Sequence, residues 1–130
     1  MRIMKVIAII ALIVAAIGAY FYKQRKKNEI GIKSDILDSE LSFDEIIAFF
    51  KSKNLNKDEH TPFMANGDSA KLKAMFHQPY PQGKEGYVSL LFGIYNRKSD
   101  EIEDIKLVYA KSLSPKILEV FGGDSLVILS

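Results

Sequence analysis

Two histidines and one dense run of acids are the residues best suited to chemistry in this 130-residue chain. His60 lies in the polar stretch KNLNKDEH, and His77 ends an alternating segment beside Lys71 and Lys73. Neither has the convergent ligand spacing of a metal site, and the neighbouring lysines oppose a cation at His77. His77 therefore reads as an ordinary exposed strand residue, and His60 as a weaker candidate still for ligand or acid/base work. Asp100, Glu101, Glu103 and Asp104 form the densest acidic run, which could collect calcium through carboxylate oxygens. The run lacks EF-hand spacing and its glycine, so it reads as a solvated hairpin tip with a secondary role against a basic partner.

Nucleophiles and phosphate loops are equally poorly served. Ser42 has a capping role, no serine lies in a nucleophile elbow, and no spacing pairs a serine with either histidine. GKEG at 83–86 and Gly122-Gly123 lack the strand, glycine spacing and lysine of a nucleotide-binding loop. The absence of cysteine excludes disulfides, thiolate zinc and a cysteine nucleophile. No enzyme, cofactor or metal is expected; a minimal hydrolase on His77 would need folding to assemble groups that lie far apart in the chain. The segment HQPYPQGKEGY, 77–87, is the most distinctive surface feature, because two prolines hold an extended backbone around Tyr80. It is either a structural turn or a recognition loop. Pro79, Tyr80 and Pro81, with the acidic tip, are the candidate partner contacts.

The elements that would position these groups divide the chain into unlike parts. Residues 1–27 hold six basic and no acidic side chains, whereas residues 28–130 hold 12 bases and all 16 acids. The globular part is thus net acidic, and nucleic acid is not an expected partner. Val6 to Tyr22 reads VIAIIALIVAAIGAYFY, apolar on all sides, and Ile3 to Tyr22 as a helix would measure about 30 Å, a bilayer's hydrocarbon thickness. Tyr20 and Tyr22 then fall where an interfacial aromatic belt belongs, with Lys23, Arg25, Lys26 and Lys27 at headgroup level. A transmembrane helix in contact with lipid is the expectation. A cleaved signal peptide is the alternative, and a core helix is set aside because so small a domain has nothing evident to cover it. Basic residues after the span favour a cytoplasmic C-terminal domain on a single-pass chain in the cytoplasmic membrane, with an extracytoplasmic or periplasmic domain as the close alternative.

Residues 28–41 are expected to be a juxtamembrane connector with at most a short helix after Ser34, and 42–130 the domain. Ser42 and Glu45 have capping-box spacing, and Phe43, Ile46, Ile47 and Phe50 make one apolar stripe, so a helix should run over 43–53. Alternation then predicts strands at Thr61–Ala65, Lys71–His77, Gly86–Tyr95 and Asp104–Ala110, with Asn66-Gly67 as a hairpin turn. Ser114-Pro115 opens a short helix that Gly122-Gly123 ends, and SLVILS suits a buried final strand. The fold class is α+β: an N-terminal transmembrane helix, then a mostly antiparallel sheet of about four to five strands with two helices on one face. The function expected is a membrane-anchored domain that binds a protein partner at the membrane surface, as an accessory, inhibitory or immunity-type factor. The alternative is an exported domain, released by signal-peptide cleavage, that binds a small ligand in a cavity between helix and sheet.

Overall fold

A computed structural model of the chain describes residues 3–4, 12–17, 19–20, 34–68 and 85–129. Four strands make the sheet's centre, the first three following from alternation and the last from its short apolar run: β4 (His60–Asn66), β5 (Val88–Asn96), β6 (Glu101–Ala110) and β8 (Leu126–Leu129). Two short strands complete the described sheet, β1 (Ile3–Met4) at one edge and β2 (Ser34–Ile36) at the other, in the order β1-β8-β4-β5-β6-β2. Every pairing is antiparallel except β2 with β6. The stretch read from sequence as a connector therefore carries an edge strand. It also carries β3 (Glu40–Leu41), which pairs in parallel with β7 (Ser112–Leu113). Between Phe63 and Ala65 both edges of β4 are occupied, by β5 and β8. The expected hairpin arm 71–77 lies outside the described residues, as does His77.

Side chains alternate across this sheet into two apolar layers. Met64, Leu90, Phe92, Ile94, Val108, Val127 and Leu129 face one side, and Phe63, Ala65, Leu91, Tyr95, Leu107, Leu126 and Ile128 face the other. Helix α2 (Phe43–Lys51) covers the first side with Ile46 and Phe50, and helix α3 (Pro115–Phe121) adds Ile117, Val120 and Phe121. Both helices start as their sequences dictate. The Ser42 hydroxyl accepts from the Glu45 amide at 3.3 Å and that of Ser114 from the Ile117 amide at 3.4 Å, each taking up an amide with no partner within the helix. Pro115 occupies the first turn of α3, and Gly122 closes it in the left-handed region at φ 53°.

The second side is covered by the N-terminal segment, and this overturns the membrane reading. Helix α1, described at residues 12–17 and 19–20, buries Ile13, Val14, Ala16 and Ile17 against Phe63, Leu91, Tyr95, Ile105, Leu107 and Ile128. Its opposite face, with Leu12, Ala15 and Ala19, is exposed. Among the described residues no helix is long and apolar enough to cross a membrane. The expected transmembrane helix, its lipid contact, the single-pass cytoplasmic-membrane location and the anchored function are all corrected by this packing. The physical reason is that a sheet apolar on both faces offers a helix the same water-free surroundings that a bilayer would. Burying Ile13 and Ile17, each 0% exposed, stabilises the fold by about 1.5–3 kcal/mol apiece. Tyr20, assigned from sequence to the membrane interface, packs half-buried against this same core, whereas Tyr22, Lys23, Arg25, Lys26 and Lys27 lie outside the described residues.

Candidate functional site

A β-bulge builds the first of two sites. Ile94 of β5 pairs with Asp104 of β6, yet Tyr95 pairs with Ile102, so Glu103 is the extra residue. An inserted residue re-aims its side chain. Here Glu103 Oε2 lies 2.8 Å from His60 Nε2, and Glu103 Oε1 accepts from Asn96 Nδ2 at 2.6 Å. The second Asn96 N–H is donated to Glu59 Oε1 at 2.8 Å, so one buried amide bridges two carboxylates. Its carbonyl oxygen accepts the amides of Lys98 and Ser99 at 2.8 and 3.0 Å, which uses every hydrogen-bonding position of the side chain.

The segment before β4 is held rigidly enough to present Glu59 and His60. The Asn56 carbonyl accepts the amides of Glu59 and His60 at 3.0 and 2.7 Å, and Arg97 Nη1 bonds Thr61 Oγ1 at 2.6 Å. Arg97 Nη2 also donates to the Lys57 carbonyl. The hydrogen bond from Asn96 holds the Glu59 carboxyl below its ordinary pKa; partial burial opposes that, and the charges of Lys98 and His60 reinforce it.

Glu59, His60 and Glu103 present one ligand atom each, all within 4.8 Å of one another, a donor set suited to a divalent transition metal. The imidazole's hydrogen bonds bear directly on that chemistry. His60 Nδ1 accepts from the Asn56 amide at 2.9 Å, so in the neutral ring the proton sits on Nε2 and is donated to Glu103. Metal-bound histidines have the opposite arrangement, donating from the ring nitrogen that does not bind the ion. A metal on Nε2 would require the proton to move to Nδ1 and the Asn56 bond to be given up.

The second site is a cavity of about 230 Å³ between α2 and the sheet. Leu37, Leu41, Phe49, Phe92 and Val108 form its apolar wall. Phe49 meets Phe92 edge-to-face, centroids 5.0 Å apart and planes at 85°, so the aromatic side is preformed. Asp35, Glu45 and Lys106 stand at the rim, with Lys106 Nζ 2.9 Å from Asp35 Oδ2. Strand β2 brings Asp35 there by pairing with β6, opposite Val108.

The acidic run is distributed over several contacts rather than gathered in one patch. Asp100 accepts from the Tyr95 hydroxyl, Glu103 joins the His60 cluster, and Asp104 Oδ2 lies 2.7 Å from Nζ of Lys53, in the turn that follows α2. Glu101 opens β6 and is exposed. Pro79, Tyr80 and Pro81 lie outside the described residues. Sequence reasoning missed the cluster that Glu59, Asn96 and Glu103 form around His60, and it missed the cavity-lining pair Asp35 and Lys106. The only available signal was the Glu59-His60 dipeptide. No family model matches this chain, and no curated protein or solved structure is significantly similar to it.

Proposed function

We propose that this α+β domain is a binding module that takes a small ligand in the cavity between α2 and the sheet. The observation that carries this reading is the open 230 Å³ space with an apolar aromatic wall and three charged groups at its rim. A closed apolar cavity of about 150 Å³ already accommodates benzene, so the volume suits a one-ring molecule. A few convergent polar groups around an apolar pocket are what fix a ligand's orientation. The release by cleavage that accompanied this reading gains no support, because removing residues 13–17 would uncover one face of the sheet. Absence of catalysis remains part of the proposal. The test is a one-ring fragment screen by amide chemical shifts: hits should perturb Phe49, Phe92 and Val108 and be lost in Val108→Phe, which fills the space. Fragments that bind only elsewhere would remove the cavity from consideration.

A second reading, favoured by the convergence of Glu59, His60 and Glu103, is a divalent cation at the sheet's end. Titration calorimetry with zinc should then show one site that His60→Ala abolishes; no heat above dilution would exclude it.

A further inference from the structure

The charges around the cavity specify more than its size. Two carboxylates, Asp35 and Glu45, and one ammonium, Lys106, line it. Lys106 Nζ is 2.9 Å from Asp35 Oδ2 and is thereby neutralised, which among the described residues leaves the Glu45 carboxylate as the charge at the mouth without an opposite partner. Lys53, whose Nζ lies over the Phe49 ring 5.0 Å from its centroid, is itself paired with Asp104 at 2.7 Å. The described charges around the cavity are therefore net negative.

We propose that the ligand is a small organic amine, an apolar or aromatic body of one ring carrying a single ammonium. The ring fills the space between Phe49, Phe92 and Val108, and the ammonium meets Glu45 at the rim. This inference rests on the cavity being a ligand site, and the experiment separates failure of one from failure of the other. Glu45 lies in the first turn of α2, where only its backbone amide serves the Ser42 cap, so its side chain can be changed without removing that bond.

Three probes of matched shape decide the matter: 2-phenylethylamine, 2-phenylethanol and 3-phenylpropionate, titrated into the isotope-labelled full chain by amide chemical shifts. Probes of about nine to eleven non-hydrogen atoms bind an open cavity with dissociation constants on the order of 0.1–1 mM. The amine should bind about two- to fivefold more tightly than the alcohol, the scale of one partly solvated ion pair, and the carboxylate most weakly. Glu45→Gln should abolish the amine's advantage and leave the alcohol's affinity unchanged, with the dispersed spectrum confirming the fold. Raised salt should shrink the same advantage. Equal affinities for amine and alcohol, or tighter binding of the carboxylate, would overturn the amine assignment while leaving the cavity as a site. If no probe perturbs Phe49, Phe92 or Val108, the ligand reading falls with it.

Discussion

Tyr95 shows how one buried side chain sets a pH limit. It is 2% exposed and its hydroxyl donates to Asp100, which sits in the left-handed region at φ 58°. Burial first, then the hydrogen bond and the negative charge of Asp100, push the phenol up to about 12. A pKa raised in the folded state contributes stability that is present below the unfolded value near 10 and is lost as pH rises through 12. Urea unfolding of Tyr95→Phe should therefore show lower stability at pH 7, by about 1 kcal/mol for the lost hydrogen bond, and a shallower decline from pH 9 to pH 12. An unchanged decline would assign the alkaline limb to other groups. Glu59 works in the opposite direction: its lowered pKa stabilises the fold above the ordinary carboxylate range and ceases to do so as pH falls through the folded value.

Among the elements, the β5–β6 hairpin carries the most constraint, because its bulge both aims Glu103 and brings two backbones unusually close. A Cβ on Gly93 would lie 2.4 Å from the Asp104 carbonyl oxygen and 3.0 Å from Ile105 Cα. Those atoms belong to a paired strand and cannot yield as a flexible side chain would. Gly93→Ala should destabilise by about 1–3 kcal/mol in thermal unfolding, with amide shifts concentrated at Asp104 and Ile105. A silent substitution would mean that the two strands have room to separate. The helices are simpler, since their boundaries come from the Ser42 and Ser114 caps, and most of their stability from the apolar stripe each lays on the sheet.

At the scale of the whole molecule, the described chain is three layers: α1 on one face of the sheet, and α2 and α3 on the other. This arrangement predicts that substitutions in α1 behave as core mutations. Ile17→Ala should cost about 2–5 kcal/mol in urea unfolding, as truncation of a fully buried aliphatic side chain does. A membrane-inserted or unpacked segment would leave the unfolding midpoint where it was. Leu12→Ala, on the 48% exposed side of the same helix, should cost well under 1 kcal/mol and serves as the internal comparison.

Local chemistry in the sequence determined the two capped helices, the strands at Thr61, Val88 and Ile105, the left-handed stop at Gly122 and the buried final strand, because caps and side-chain periods act within a few residues. The alternation of β5, with Leu90, Phe92 and Ile94 against Leu91 and Tyr95, marked a central strand, yet the reading placed helices on one sheet face only, whereas both faces are covered. Tertiary structure alone decided what supplied it: an apolar segment is stabilised equally by lipid and by a sheet face, and only the folded sheet shows which is at hand. The sites were illegible for a related reason. Glu59, His60, Asn96 and Glu103 meet through a bulge, and Asp35 reaches Lys106 through a parallel edge strand, and neither register shift nor strand order leaves a mark on local spacing.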